Sequence, residues 1–392
     1  MAGAALAAVL APAAAQGARI VTWSDPAVSE SRFVDPDAAP PSTYNEPPGV
    51  EERPNALKVN VYFPQEYGRQ KKKRWPVLYL LHGNGDAYDS WAHPQQGDLR
   101  RTARGLGAVV VMPEGDRGFY ADHYNGGERG DPAWERYHLE QLIPLVSERL
   151  RIKRGRRWHA IAGLSMGGEG TMYYASQRPG YFGTAAAFSA PLSIRRLTFQ
   201  QGFALGTGAS AEPIFGSPGP QEYYWRGHDP IALVDNLAST RLYVSSGNGI
   251  PAADELDNAL GALLELELSQ HAAEFVPAAR AVGAPVTYRP HAGIHAWRYW
   301  RADLADAIAW DLFAAPPRPE NEWTFHSVSE RGSAWGIRFR FDDPPQMVQT
   351  LSREGKVLRG AGSGSVALRT RRGCRLHPEL PFELDLSEEC GR

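Results

Sequence analysis

The stretch Gly163-Leu164-Ser165-Met166-Gly167-Gly168 decides how the rest of the chain is interpreted. It follows an apolar run at 158–162 and precedes a segment whose sequence is compatible with a helix. Strand, sharp turn and helix in this order form a nucleophile elbow, in which a serine stands exposed at the strand tip. Glycine is suited to positions 163 and 167, occupied here by Gly163 and Gly167, because a Cβ at either position would collide with the adjoining elements. Ser165 is therefore a candidate nucleophile at a helix N-terminus, where free amides favour developing negative charge.

Apolar runs recur on both sides of this turn. They matter because the serine could otherwise belong to an ordinary glycine-rich turn, and the surrounding fold has to distinguish the two cases. Uninterrupted apolar runs are typical of strands buried on both faces of a parallel sheet. Several of these runs are separated by segments in which apolar residues recur at helical spacing. The predicted strands are 60–64, 75–81, 108–113, 183–189, 240–246 and 285–288, and the predicted helices are 134–150, 258–282 and 301–313. This alternation predicts an α/β fold.

The chain divides into four predicted segments around this fold. Residues 1–15 resemble the apolar core of an export signal, although no basic residue precedes it. Residues 19–56 are polar and proline-rich, and we expect an extended segment on the surface. The catalytic domain is predicted over 57–315, and a proline-rich linker leads to a small all-β domain over 320–392. We expect that domain to be a structural cap, with a surface-binding module as the alternative.

The composition restricts the possible partners and the compartment. A chain of 392 residues with 43% hydrophobic and 22% charged residues is typical of a soluble globular protein. The formal net charge of −2 gives no electrostatic reason to expect a nucleic acid or an anionic membrane as partner. The apolar N-terminus is too short for a membrane span. If the chain is exported, Cys374 and Cys390, its two cysteines, are expected to form a disulfide.

A serine nucleophile needs a base and an acid that orients the base. His295 is the candidate base, because it lies between the last predicted strand and the last helix of the sheet domain. His291 is the nearest rival, but it follows the strand too closely to reach Ser165. Spacing alone leaves the acid open among several carboxylates after the strand at 240–246. These are Asp254, Glu255, Asp257, Glu265 and Glu267.

Two amides and two aromatic side chains complete the predicted site. The amide of Met166 follows the nucleophile, and the amide of Asn84 lies in a glycine-rich turn after an earlier strand, so both are candidate oxyanion donors. We expect His82 to shape that turn rather than to take part in catalysis. Trp91 and Trp297 are the candidate substrate-binding residues. The irregular, aromatic segment 192–229 is expected to form a substrate cap or to fill space in the packing.

Four segments of this sequence resemble those of the esterase D family. They are Leu80-Leu81-His82-Gly83, the elbow itself, Gly247-Asn248-Gly249 and Gly293-Ile294-His295-Ala296-Trp297-Arg298-Tyr299-Trp300. That family includes S-formylglutathione hydrolases, feruloyl esterases and mycolyltransferases, and the last are most similar in the third and fourth segments. The resemblance covers roughly 60–314. It implies an α/β-hydrolase fold with a mostly parallel central sheet.

The resemblance also selects the acid. In the mycolyltransferases the catalytic Glu lies in the helix after the Gly-Asn-Gly segment, which implies Glu265 here, with Asp254 as the alternative. Two departures favour hydrolysis over acyl transfer: His82 stands where mycolyltransferases have Asp, and Gly167 stands where they usually have Ala.

The predicted function is that of a secreted serine esterase acting on an aryl, feruloyl-type or polymeric ester. A mycolyltransferase-like acyltransferase to a sugar hydroxyl and a catalytically silent glycan- or polymer-binding protein are the alternatives. No metal, organic cofactor or nucleic acid is expected, and the oligomeric state is not readable from the sequence.

Overall fold

The computed structural model describes residues 18–35, 57–207, 210–319 and 321–391, and for 203–207 it describes the backbone alone. The predicted export signal and residues 36–56 of the predicted extended segment lie outside the described residues. The rest of that segment differs from the expectation of a surface segment. Residues Arg19–Trp23 form a strand at the sheet edge, and Val28 and Val34 are buried. The three consecutive β-branched residues of Arg19–Trp23, Ile20 to Thr22, suit a strand, which the proline content of the surrounding sequence obscured.

An eight-stranded sheet forms the centre of the larger part of the chain. Its spatial order is β1-β2-β4-β3-β5-β6-β7-β8. The pairs β1–β2 and β2–β4 are antiparallel, and all the other pairs are parallel, as predicted for a mostly parallel sheet. The strands are β1 Arg19–Trp23, β2 Val59–Phe63, β3 Val77–Leu81, β4 Val109–Pro113, β5 His159–Leu164, β6 Thr184–Phe188, β7 Arg241–Gly247 and β8 Val286–His291.

Helices cover both faces of this sheet, so strands β2 to β6 are buried throughout. The helices are α1 Pro26–Ser29, α2 Leu99–Thr102, α3 Trp134–Arg136, α4 Ile143–Arg149, α5 Met166–Gln177, α6 Leu197–Thr207, α7 Glu212–Phe215, α8 Glu222–His228, α9 Ala259–Ala281 and α10 Trp297–Ala309. A π-helical segment, Tyr137–Leu142, joins α3 to α4. One apolar cluster packs α5 and α9 against one face of the sheet, and a second packs α2 and α10 against the other.

The segment 192–229 is helical rather than irregular, since it contains α6, α7 and α8. Three of its large aromatic residues do not form the surface of a cap. Phe215, Tyr224 and Trp225 are 0 to 3% exposed and belong to the main apolar cluster. The sequence showed an unusual density of aromatic residues but could not show that these three side chains point into the core. The alternative that they fill space in the packing is therefore the correct one for them.

The C-terminal part is a β-sandwich of two four-stranded antiparallel sheets around an apolar core. The first sheet has the order β10-β11-β14-β15, and the second has the order β16-β13-β12-β9. Cys374 and Cys390 form a disulfide, which links the segment before β15 to the end of α11. The elements are β9 Glu322–Ser327, β10 Arg331–Ala334, β11 Ile337–Phe341, β12 Gln349–Glu354, β13 Val357–Ala361, β14 Val366–Arg369, β15 Arg375–Leu376, β16 Phe382–Asp385 and α11 Leu386–Glu389.

The sandwich packs against the larger part of the chain, at the end where helix α5 has its C-terminus. Asn236 exchanges two hydrogen bonds of 2.7 and 2.8 Å with the backbone of His326. Ser327 donates a hydrogen bond to Gln177, the last residue of α5. Val328 belongs to the main apolar cluster of the larger part. These contacts hold the two parts together as packed neighbours.

Candidate active site

The turn between β5 and α5 has the geometry of a nucleophile elbow. Ser165 has φ 51° and ψ −122°, a left-handed conformation that costs energy for a residue with a side chain. Gly163 and Gly167 allow the turn to close, because an added Cβ would lie 2.3 Å from Gly167 O and 2.4 Å from His82 O, respectively. All residues from 159 to 177 are buried except Ser165. Within this stretch the fold therefore leaves Ser165 alone partly exposed.

His295 and Glu265 extend from the same edge of the sheet to form a hydrogen-bonded chain with Ser165. Nε2 of His295 lies 3.0 Å from Ser165 Oγ, and Nδ1 of His295 lies 2.8 Å from Glu265 Oε2. The three residues come from the turn after β5, the loop after β8 and helix α9, up to 130 positions apart in sequence. Such a serine, imidazole and carboxylate chain has the connectivity of a catalytic triad.

The Glu265 carboxylate is fully buried, and it is held by more than His295. Its Oε1 accepts hydrogen bonds from Ser189 Oγ at 2.7 Å and from the amide of Gly247. Burial by itself raises the pKa of Glu265, but the hydrogen bond and charge of His295 and the bonds from Ser189 and Gly247 outweigh it, so the net pKa lies below 4.5. Glu265 is therefore an anion poised to stabilise a cationic imidazole.

Ser189 is the part of this arrangement that the sequence analysis missed. It follows β6 and has φ 47°, and its hydroxyl accepts a hydrogen bond from Trp300 Nε1 while it donates to Glu265. Trp300 in turn packs edge-on against the His295 ring, with centroids 4.8 Å apart. A serine at the carboxyl end of a core strand was the available signal, because all such ends meet at one sheet edge.

The rival acid and the rival base lie in other interactions. Asp254 has a side chain 74% exposed, and both its oxygens bind Arg298 at 3.1 Å. His291 Nε2 lies 3.3 Å from the carboxylate of Asp303, which raises the pKa of His291 to about 9. Neither contacts the chain of Ser165, His295 and Glu265. The structure thus does not bring Asp254 to the candidate site, because its loop directs the side chain to solvent.

The turn after β3 brings the Asn84 amide to the same edge of the sheet. A Cβ built on the preceding Gly83 would lie 3.5 Å from Ser165 Cβ, so this turn adjoins the nucleophile. Met166 is the first residue of α5, and its N–H has no carbonyl partner within the helix. In the described part of the chain, neither amide donates a hydrogen bond to the protein. Both therefore remain available to an oxygen beside Ser165.

His82 determines the direction of one of these amides. Its Nδ1 lies 2.8 Å from the carbonyl oxygen of Gly83, and because a carbonyl only accepts, Nδ1 is the donor. Nε2 lies 3.0 Å from the amide of Gly115 and 3.3 Å from Glu114. The Gly83 carbonyl and the Asn84 N–H belong to one planar peptide unit and point in opposite directions. Fixing the carbonyl therefore fixes the N–H.

The two tryptophans predicted to bind substrate differ in exposure. Trp91 is 1% exposed, donates a hydrogen bond to Leu81 O and packs edge-on against Trp297, so it cannot contact a ligand directly. The prediction for Trp91 is wrong because the residue belongs to the core. Trp297 is partly exposed at the start of α10, two residues after His295. It remains a candidate for substrate contact and rests on Trp91.

The described residues contain no cluster of three His, Cys, Asp or Glu side chains that could hold a metal ion. Among those same residues, no helix is both long enough and apolar enough to cross a membrane.

The model of the family described as “Putative esterase” matches residues 51–310. The chain belongs to this esterase family. The match ends before the C-terminal sandwich, so the esterase family covers the part that contains Ser165, Glu265 and His295. The resemblance noted from the sequence is confirmed at the level of the family.

Two curated relatives illustrate the relationship. Esterase Rv1288 of Mycobacterium tuberculosis is 27% identical over 260 residues, which cover 64% of this chain and 55% of the relative. The diacylglycerol acyltransferase/mycolyltransferase Ag85B of Mycobacterium intracellulare is 30% identical over 262 residues, which cover 61% of this chain and 75% of the relative. The chain thus spans about half the length of the first relative and most of the second.

Solved structures support the fold. An S-formylglutathione hydrolase from Agrobacterium tumefaciens has a TM-score of 0.55 at 19% identity, with 76% of this chain and 96% of that chain covered. A ferulic acid esterase has a TM-score of 0.53 at 21% identity, with 75% and 97% covered. The prediction of an α/β-hydrolase fold for the esterase-family part is thereby confirmed.

Proposed function

We propose that this protein is an exported serine esterase that hydrolyses carboxylic esters through an acyl-enzyme on Ser165. The observation that carries the proposal is the continuous chain from Ser165 Oγ through His295 to Glu265, with contacts of 3.0 and 2.8 Å. Membership of the esterase family supports the same chemistry. The disulfide suits an oxidising compartment, which supports export.

In the first half-reaction, Ser165 Oγ attacks the ester carbonyl while its proton passes to His295 Nε2. Glu265 stabilises the imidazolium through Nδ1 and does not take the proton itself. The amides of Asn84 and Met166 donate to the oxyanion of the tetrahedral intermediate. His295 then gives the proton to the leaving alkoxide, the alcohol departs, and the acyl group stays on Ser165.

In the second half-reaction, water takes the place of the alcohol. His295 removes a proton from this water as its oxygen attacks the acyl carbon, and the same two amides hold the second oxyanion. The tetrahedral intermediate collapses, Ser165 Oγ recovers its proton from His295, and the carboxylic acid leaves. The cycle consumes one ester and one water and needs no group that the chain does not itself supply.

Apolar side chains beside His295 favour a hydrophobic ester. The amide of His295 donates to Gly261 O on α9, the helix that also carries Glu265. The first turns of this helix and the loop before it expose a row of aliphatic side chains, although large apolar residues are normally buried. They are Ile250, Leu256, Leu260, Leu263, Leu264 and Leu266. An aryl, feruloyl-type or polymeric ester would cover part of this surface.

Acyl transfer to a sugar hydroxyl is the second candidate, and the similarity to a mycolyltransferase favours it. The two activities share the acyl-enzyme and differ only in the acceptor. The deciding experiment incubates the protein with a p-nitrophenyl ester, with and without a soluble sugar, and identifies the acyl products by mass spectrometry. Free acid as the main product in both reactions supports hydrolysis. A dominant acyl sugar would overturn hydrolysis in favour of transfer, and no turnover of any ester would contradict both.

A further inference from the structure

The outer face of sheet β10-β11-β14-β15 and its β14–β15 turn expose six arginines, which together we call the arginine face. Four belong to strands and two to the turn, and all six are exposed. They are Arg338, Arg340, Arg369, Arg375, Arg371 and Arg372. The opposite side of this sheet carries the apolar residues of the sandwich core. The arginine face is therefore the solvent side of the sheet.

The strand register places arginines directly opposite one another. Arg338 on β11 pairs with Arg369 on β14, and Arg369 pairs with Arg375 on β15. Side chains of directly paired residues point to the same side of a sheet, only about 5 Å apart at Cβ. Like charges at such positions destabilise the pairing of strands. Three neighbouring strands thus carry a row of positive charge that works against folding.

Among the residues that the structure describes, none of the six arginines of this face takes part in an ion pair or a side-chain hydrogen bond. Arg331, which pairs with Arg340 on the same side of this sheet, binds Glu140 of the larger part, and Arg359 on the other sheet binds Glu354 and Glu383. Positive charge is therefore concentrated on one face, although the chain as a whole has a net charge of −2.

We propose that the arginine face binds a carboxylate-bearing polysaccharide. The guanidinium fork matches a carboxylate bidentately, and a row of such forks across three strands suits a linear polyanion. Ser333 lies opposite Arg338 on the same side of the sheet, and its hydroxyl suits the hydroxyl groups of sugars. No aromatic side chain shares these paired positions in the described sheet, so stacking of nucleic-acid bases has no platform. Among these described positions the one apolar side chain is Ala367, opposite Arg340, and it is too small to anchor the face in a membrane.

The arginine face lies far from Ser165. Helix α5 begins next to Ser165 and ends at Gln177, which contacts Ser327 of the sandwich. Its 12 residues span about 18 Å at the rise of an α-helix. The sandwich thus lies beyond the far end of the helix that starts at the candidate nucleophile. Binding at the arginine face leaves the chemistry at Ser165 unchanged and serves to hold the protein on a polymer.

The test measures binding of the full chain to polygalacturonate by affinity electrophoresis and calorimetry, with dextran as the neutral polymer. The test variant carries Arg338→Gln, Arg340→Gln and Arg369→Gln. The matched control carries Arg353→Gln, Lys356→Gln and Arg359→Gln, which remove the same charge from the other sheet of the sandwich. We expect the test variant to lose at least about tenfold in affinity, and the control variant to bind like the wild type. Binding should weaken as salt is raised.

Further readouts separate binding from folding and from catalysis. Turnover of a short soluble ester should be unchanged in the test variant, whether that turnover is high or absent. Its midpoint of thermal unfolding should be equal to or above that of the wild type, because repulsion between paired strands is relieved. The proposal would be overturned if both variants lost affinity equally, or if the protein bound dextran as well as polygalacturonate. It would also be overturned by a lower unfolding midpoint in the test variant. Tighter binding of polyphosphate, DNA or anionic vesicles than of polygalacturonate would overturn it as well.

Discussion

Ser189 Oγ donates a hydrogen bond of 2.7 Å to Glu265 Oε1, the carboxylate oxygen that does not face His295. The hydroxyl and the amide of Gly247 thus both donate to the oxygen of the proposed triad acid that faces away from His295. This contact links the carboxyl end of β6 to α9 and orients the carboxylate toward the imidazole. It makes the identity of the acid and its support separately testable.

Replacing Glu265 by Gln should abolish most of the esterase activity. The amide keeps the shape of the side chain but removes the charge that stabilises the imidazolium, and we expect kcat to fall by about 10³- to 10⁴-fold. The control is Asp254→Asn at the exposed partner of Arg298, which should stay near wild type. Steady-state hydrolysis of a p-nitrophenyl ester measures both variants. A greater loss in Asp254→Asn than in Glu265→Gln would refute this assignment of the acid.

Replacing Ser189 by Ala should have a smaller effect that is confined to kcat. Loss of one hydrogen bond to a charged group weakens the hold on Glu265, raises the pKa of that carboxyl and should lower kcat by about tenfold. Ser246→Ala removes another buried hydroxyl at the same sheet edge, one bonded to Tyr288 instead of Glu265. We expect KM to be unchanged in Ser189→Ala and kcat to be unchanged in Ser246→Ala. Equal kcat values for the two variants would show that Ser189 has no positioning role.

Two substitutions of His82 should distinguish the contributions of its two ring nitrogens to kcat. Asn places a donor where Nδ1 lies and preserves the bond to Gly83 O, whereas Gln extends toward Gly115 and loses that bond. Because the bond fixes the peptide that carries the Asn84 N–H, we expect kcat to fall by up to about 10²-fold in His82→Gln and by clearly less in His82→Asn. Single-turnover kinetics provide the measurement. The same loss in both variants would argue against orientation of the amide by His82.

Glu169 offers a prediction about stability rather than catalysis. Its carboxyl is fully buried on α5, and neither oxygen has a hydrogen-bond partner among the described residues. Burial, reinforced by the charge of Asp229, raises the pKa of Glu169 well above 4.5. The folded state therefore holds this proton more tightly than the unfolded state does. Stability from this group is complete below the unfolded pKa and is lost as pH rises toward the folded pKa.

Glu169→Gln removes this titration and should become increasingly more stable than the wild type between about pH 5 and about pH 8. Denaturant unfolding at several pH values measures the difference in the free energy of unfolding. The exposed Glu148→Gln serves as the control and should show no such trend with pH. A constant or shrinking difference between Glu169→Gln and the wild type would contradict a buried proton on Glu169.

The sequence was sufficient for β2 to β6 because these strands are buried on both faces and therefore appear as uninterrupted apolar runs, whereas the edge strand β1 was missed. The elbow and the loop of His295 followed from their order along the chain. Glu265 followed only from the resemblance to a family, because five carboxylates have similar spacing after β7. Spacing could not indicate that the Asp254 side chain turns to solvent.

Three features needed the structure, each for a physical reason. Trp91 and the aromatic residues of α7 and α8 are core residues, and composition does not say which way a side chain points. The support of Glu265 by Ser189 joins residues 76 positions apart. The arginine face depends on strand register, which alternation within single strands leaves open.

The most direct test of the account is the hydrolysis of p-nitrophenyl acetate by the wild type and by Ser165→Ala, with intact-mass analysis after treatment with a serine-directed phosphonate. We predict that the wild type turns over the ester and gains the mass of one phosphonyl group, and that Ser165→Ala loses activity by orders of magnitude and gains no such mass. If Ser165→Ala kept wild-type turnover, Ser165 would be only a residue in a turn, and the proposed mechanism would be contradicted.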